Sequence, residues 1–327
     1  MSTRLTTIPP WPRSGVPVRE NKSRLFLLPL LLLTLLPWLT PPTDAWGASR
    51  IAVLYPEVRE PYLSVFSTII RGIESQGERQ ILPYPLPENF DSVHIEKWLD
   101  ARRPDAVIAL GSRGFQMAEE LKGKLPIVVG AVLLAPNGLP GISLAADPLI
   151  LFATLKDLAP GTRRVFVVYQ PEESAWLVAR ARDAARAQGG ELHARAAADL
   201  RAAVTIYRDL VENSLREKDA VWLTMDSVSA NDRAVLPMLL EAAWKRKFVL
   251  FSGKPGHAKQ GALFSQYPDN HRLGRQLGTL AERIRAGQGG DLVPSRELET
   301  AVNLRTAAHL GLNFRAEQKD RFQLIFP

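Results

Sequence analysis

Polar groups in this chain collect where apolar runs end. Tyr55-Pro56-Glu57 follows Ile51–Leu54, Gly111-Ser112 follows Ala106–Leu110, and Gly130-Ala131 follows Ile127–Val129. Later, Tyr169-Gln170 follows Val165–Val168, Asp226-Ser227 follows Ala220–Met225, and Ser252-Gly253 follows Val249–Phe251. Hydroxyls, a carboxylate and open backbone at one run end after another are recognition chemistry: they orient a small molecule without a nucleophile to transform it. Tyr55 and Tyr169 would suit an aromatic or apolar ligand if both rings faced one cleft, or would pack under its rim. Asp226 is suited to a ligand ammonium, or to starting its own helix. Ser112 and Ser227 are either helix caps or caps that also touch ligand. Glu57, Gly111, Ala131, Ser174, Ser252 and Gly253 complete the candidate binding set.

Catalytic patterns are missing. The chain has no cysteine, which removes thiolate nucleophiles, disulfides and cysteine-held metals. His94, His193, His257, His271 and His309 are scattered without ligand spacing, and only His257, in the glycine-rich stretch Gly253–Gly261, is a candidate for ligand contact. That stretch lacks the G-K-[ST] ending of a phosphate loop, and no G-x-S-x-G, H-E-x-x-H or dinucleotide fingerprint occurs. Glu172 and Glu173 open a helix, where acids complement the dipole. A binding protein with no catalytic residues, cofactor or metal is expected.

The elements that must position these groups repeat. Arg50-Ile-Ala-Val-Leu-Tyr55 returns 114 residues later as Arg164-Val-Phe-Val-Val-Tyr169, and Asp105-Ala-Val-Ile returns at the same offset as Asp219-Ala-Val-Trp. Helical spacing of Leu63, Phe66, Ile69, Ile70 and Ile73 predicts a helix over 61–77, and further helices are expected over 92–101, 115–121, 148–158, 174–188, 199–214, 233–245 and 270–286. Strands are expected over 50–55, 81–86, 105–110, 127–134, 164–169, 191–195, 220–225, 248–252, 262–266 and 300–303. Near-continuous apolar strands alternating with helices define an α/β fold: two similar Rossmann-like lobes, each with a parallel sheet covered on both faces. Ligands bind beyond the carboxyl ends of such strands, which is where the polar groups lie. Segments after residue 262 require the chain to cross back, so residues 48–158 with about 262–290 are expected to form the first lobe, and 159–261 with about 291–327 the second. Several crossings make a multi-strand hinge. The tail Phe314–Pro327 is read as a final strand or an apolar contact.

Arg4, Arg13, Arg19, Lys22 and Arg24 precede the apolar stretch Leu25–Leu39, followed by Pro41-Pro42 and Ala45-Trp46-Gly47. A basic region, a short apolar core and small residues at the −3 and −1 positions describe an export signal over 1–47. The stretch is short for a span, so no stable membrane insertion is expected after cleavage. The net charge of +7 falls to +4 without this segment, and no basic block interleaved with aromatics remains, which argues against nucleic-acid binding.

The order of these motifs resembles a known family. Asp105-Ala-Val-Ile-Ala-Leu-Gly-Ser112, Leu125–Ala131, Tyr169-Gln-Pro-Glu-Glu173, Gly261–Ser265, Leu273–Gly278 and Asn303–Gly311 are similar to the periplasmic substrate-binding proteins of ABC-type uptake systems, related to tryptophan- and other amino-acid-binding members. The resemblance implies the type I periplasmic-binding architecture and a periplasmic location. It also implies a monomer that closes on an amino acid or similar small polar or aromatic solute and presents it to an ABC permease. The alternative output is a sensory module that signals to a receptor or sensor kinase. Two departures fall near the cleft: Ala131–Gly138 runs on without the Ser/Thr-Asp-Pro step, and Ser174-Ala175-Trp176 stands where many members continue Asn-Ser.

Overall fold

The computed structural model describes residues 49–327; the expected export signal lies outside them. The first half runs β1 (Ser49–Pro56), α1 (Tyr62–Glu74), β2 (Arg79–Leu86), α2 (Ser92–Arg102), β3 (Ala106–Leu110), α3 (Gly111–Glu120), β4 (Ile127–Gly130) and β5 (Gly141–Ala146). The second runs α4 (Pro148–Leu158), β6 (Arg164–Tyr169), α5 (Pro171–Ala187), β7 (Glu191–Ala196), α6 (Leu200–Asp209) with a π turn, β8 (Ala220–Leu223), α7 (Val235–Arg246), β9 (Val249–Ser252), α8 (Pro255–Gln260) and β10 (Phe264–Pro268). Then follow α9 (Asn270–Arg285), β11 (Leu292–Ser295), β12 (Leu298–Asn303), α10 (Leu304–His309), α11 (Ala316–Lys319) and β13 (Leu324–Phe326).

These strands make two sheets, ordered β2-β1-β3-β4-β5-β11 and β7-β6-β8-β9-β10-β12-β13. The textual repeat is therefore a structural one: β1 and β6 hold the same place, as do β3 and β8. All pairings are parallel except β10 with β12. Ile51–Leu54 and Val107–Leu110 are fully buried, because helices cover both faces of the sheet. The repeat extends to its polar base. Asp105 accepts from the Arg50 backbone N–H at 2.8 Å, and Asp219 accepts from the Arg164 guanidinium at 2.5 Å.

The crossings differ from the expected partition. Strand β10, expected with the first lobe, pairs with β9 in the second sheet, and β11, expected with the second, pairs with β5 in the first. Helix α4 also belongs to the second lobe, where Leu151, Phe152 and Leu155 join the core that contains Val165, Val167 and Trp222. The chain thus crosses three times, at 146–148, 268–270 and 295–298. A missed β5 and β11 explain the shifted boundaries. The multi-strand hinge itself is present, and two of its crossings lead into helices capped by aspartate. Asp147 accepts from Leu149 N–H (3.0 Å) and Arg296 Nε–H (2.8 Å), while Asp269 accepts from Arg272 N–H (3.0 Å). Arg272 also reaches Glu297 at 3.1 Å.

Helix α9, returning from the second lobe, packs on α1 at backbone contact. A β-carbon on Gly274 would lie 2.0 Å from the Ile69 carbonyl oxygen, so only glycine permits this approach. The tail is a strand: β13 pairs parallel with β12 at the sheet edge, leaving Leu324 and Ile325 exposed. No helix among the described residues is long and apolar enough to cross a membrane.

Candidate functional site

The loop after β4 and the carboxyl end of β5 meet the segments that follow β6, β8 and β9, and both lobes contribute to one small cavity there. From the first lobe come Leu133, Ala145 and Ala146; from the second come Glu173, Ser174, Trp176, Trp222, Thr224, Met225 and Gly253. Its volume is about 20 Å³, enough for roughly one water and well below the few hundred Å³ that a small-molecule ligand needs. Side chains fill the rest. A β-carbon on Gly253 would meet Met225 Sδ at 2.7 Å, so Met225 occupies the ground that glycine leaves open. On the far side of Trp176 lies a second space of about 360 Å³ between Arg180 of α5 and Pro136, Leu139 and Asp291 of the first lobe. Trp176 lines both spaces. Its indole N–H donates to the Glu173 carbonyl at 3.1 Å, which fixes the ring between them.

The floor on the second-lobe side is held by Asp226, which is 1% exposed. Its carboxylate accepts from Gln170 N–H (3.1 Å), Ser174 Oγ–H (3.2 Å), Thr224 Oγ1–H (2.7 Å) and Val228 N–H (3.2 Å). It also accepts from the Ser229 N–H (2.6 Å) and hydroxyl (2.7 Å). These donors come from the end of β6, the start of α5 and the turn after β8. Asp226 therefore ties three elements together and leaves no face for a ligand ammonium, which corrects that expectation. Ser174 is drawn down with it, 5% exposed. Beneath the turn, burial and the Asp226 charge push the Tyr207 phenol up, so it stays neutral.

Glu173, expected only to balance the helix dipole, has a further role. Its carboxylate accepts from Ser227 Oγ–H at 2.9 Å and Ser227 N–H at 3.3 Å, and it lines the cavity as its one ionisable side chain. Ser227 is thus a partner of Glu173 and not a cap. Ser252 is fully buried, within 3.1 Å of Ser265 Oγ, and accepts from Lys254 N–H. Tyr169 is half-buried against the second-lobe core.

In the first lobe the expected residues sit at strand ends but outside the cavity lining. Tyr55 is half-buried, 6.4 Å from the Phe66 ring. Gly111, at φ +70°, packs under Pro56. Ser112 is exposed in the first turn of α3 and is not its cap, since that position is Leu110. Glu57 is exposed, its carbonyl held by Arg113 at 2.9 Å. Ala131 adopts φ +53°, turning the chain toward Leu133, the residue that does enter the cleft. His257 lies in α8, buried, with Nε2 3.0 Å from Asp232 Oδ1, and it lines neither interlobe space. Burial lowers its pKa. Burial acts to raise Asp232, but hydrogen bonds from His257 and Lys254 outweigh it and hold the carboxyl low. Among the described residues no cluster of three or more metal-ligating side chains forms.

Two α/β lobes joined by three crossings, with a cleft at the strand ends, define a binding protein of the type I periplasmic-binding architecture. The chain belongs to the family of ABC transporter substrate binding proteins, whose sequence profile matches residues 88–317. Solved structures share the fold. The ligand-free, open structure of CD0873, a substrate binding protein with adhesive properties from Clostridium difficile, is 17% identical over 85% of this chain and 99% of its own, with a TM-score of 0.58. The ABC domain in complex with L-Trp from Streptococcus pneumonia is 18% identical over 85% and 100%, with a TM-score of 0.53. A conserved domain protein from Vibrio cholerae is 18% identical over 85% and 99%, with a TM-score of 0.52. Among curated proteins no sequence match is found.

Proposed function

We propose that this protein, after export, closes its lobes on a small solute with an apolar body and an amino group and delivers it to an ABC importer. The observation that carries the ligand class is the cavity lining. Leu133, Trp176, Trp222 and Met225 supply apolar surface and Glu173 the one charge of the small cavity, while the adjoining space adds Arg180 and Asp291. An ammonium would exchange the Ser227 hydroxyl for a stronger charge-assisted partner on Glu173. The Trp176 ring, lining both spaces, would stack on an aromatic body. The pneumococcal relative holds L-Trp, which supports an aromatic amine or amino acid here. Closure requires the ligand to touch both lobes, and Leu133 and Ala145 are the first-lobe surfaces it would meet.

The test is a thermal-shift series on residues 48–327 with tryptamine, L-tryptophan, L-leucine, glucose, adenosine and sulfate. A ligand present at 100 times its Kd stabilises the folded state by about 2.7 kcal/mol. Tryptamine or L-tryptophan should raise the melting temperature, and Glu173→Gln should cancel the rise. A rise with glucose or adenosine alone, or the same rise in Glu173→Gln, would sink the ligand class; no rise with any of the six would sink the reading of the cleft.

A further inference from the structure

The cleft is not the largest space on this molecule. A groove of about 910 Å³ runs along α9, between that helix and the edge strand β11, up to the crossing at Arg296-Glu297. Arg272, Arg275, Thr279 and Arg283 stand three to four residues apart on α9, hence on one face. From the first to the last the helix rises about 16 Å. Arg296 closes the groove from the other wall, and Ile142, Leu280, Val293 and Pro294 make an apolar floor.

The charge in this groove is not balanced from within. Arg272 is matched by Asp269 (3.3 Å) and Glu297 (3.1 Å), and Arg296 by Asp147 (2.8 Å). Among the described residues, Arg275 and Arg283 have only amide partners. The Gln76 amide, oriented with its oxygen toward Arg275, accepts at 3.0 and 3.1 Å, and Gln288 Oε1 accepts from Arg283 at 3.3 Å. Of the two carboxylates lining the groove, Glu297 is already engaged by Arg272, and Asp291 lies toward the end shared with the Trp176 space.

We propose that this groove is a second ligand site, separate from the cleft, for a small anionic molecule with an apolar body. Arg275 and Arg283 receive the anionic groups by charge-assisted, bidentate hydrogen bonds, and the floor receives the body. The volume lies in the range of small-molecule sites. An added β-strand is a poorer occupant, since Pro294 removes a donor from the edge of β11. Because Arg296 belongs to a crossing and Arg272 pairs with Glu297 in it, an occupant meets the hinge as well as the first lobe.

The experiment is isothermal titration of residues 48–327 with benzene-1,3,5-tricarboxylate, its neutral tricarboxamide and sodium sulfate. The tricarboxylate should bind once per chain, more weakly as salt rises, and at least tenfold more weakly in Arg275→Gln/Arg283→Gln. Trp176→Ala, in the cleft, should leave that affinity unchanged. Equal binding of the tricarboxamide would overturn the anionic class, and equal binding of sulfate the apolar body. Loss in Trp176→Ala would relocate the site to the cleft. No binding at millimolar tricarboxylate, or less than a threefold loss in the double variant, would remove the groove as a site.

Discussion

Replacing Asp226 by alanine separates a structural carboxylate from a ligand-binding one. In the structure that carboxylate is 1% exposed and serves donors from Gln170, Ser174, Thr224, Val228 and Ser229. The hydroxyls of Thr224 and Ser229, 2.9 Å apart, can turn toward each other. The backbone N–H groups of Gln170 and Ser229 cannot turn, and each stranded buried donor costs about 1–3 kcal/mol. With the loss of Ser174 and Val228 added at a lower rate, the expected cost is about 4 kcal/mol, near the upper end for a single substitution. At roughly 2–4 °C per kcal/mol for a domain of this size class, the unliganded protein should melt about 10 °C lower. Asp226→Asn, which keeps one acceptor oxygen, should lose about half as much. Calorimetry without ligand is the assay. A melting temperature within 2 °C of the parent for Asp226→Ala would refute the reasoning and return Asp226 to the ligand.

Gly274→Ala should cost about 3 kcal/mol, since its β-carbon meets the Ile69 carbonyl at 2.0 Å and backbone cannot yield; Gly289→Ala, with nothing within 4 Å, should be neutral in the same denaturant titration. Asp147→Ala should lose about 2 kcal/mol by removing both the α4 cap and the Arg296 contact, seen as a lower unfolding midpoint. His257 has its pKa lowered by burial, facing Asp232 and Lys254. The unfolded chain therefore binds the extra proton first. Stability from this group is complete above about pH 6.5 and is lost as pH falls below it. His257→Gln should flatten the pH dependence of the unfolding midpoint between pH 5 and 7, whereas Asp232, with a lowered pKa, acts only below about pH 4; an unchanged slope in the variant would count against this assignment.

Most of the architecture was legible because central parallel strands are buried on both faces and so read as apolar runs. The strands that escaped are those where this signal fails. Gly141–Ala146 is rich in small residues, and Leu292–Ser295 contains Pro294, which is tolerated because β11 is an edge strand. Helix α8 is hidden in the glycine-rich stretch Gly253–Gly261, and Pro255 at its first turn starts it. Second-lobe strand ends adjoin the interlobe cavity, but which groups line it could not be read from them. Asp226 is consumed by Gln170 and Ser174, more than fifty residues away along the chain, and no local pattern reveals such partners. Trp176 had one visible signal, its place at a departure from the family pattern. Leu133 lay within the other departure, Ala131–Gly138, and Met225 had no signal.

The order in which the lobes take their parts has a consequence for how the chain comes into being. Residues 49–146 hold five of the six strands of the first sheet, but Ile69 and Ile73 are covered by α9, which ends at Arg285. Nearly the whole second lobe is synthesised in between. At roughly 5–20 residues per second, that apolar face stays without its cover for on the order of 10 s after the first lobe's strands have emerged. An N-terminal fragment ending before α9 therefore lacks the helix that completes its apolar layer. The glycine contact between α1 and α9 then acts as the last fastening of the first lobe, made only once the returning helix has arrived.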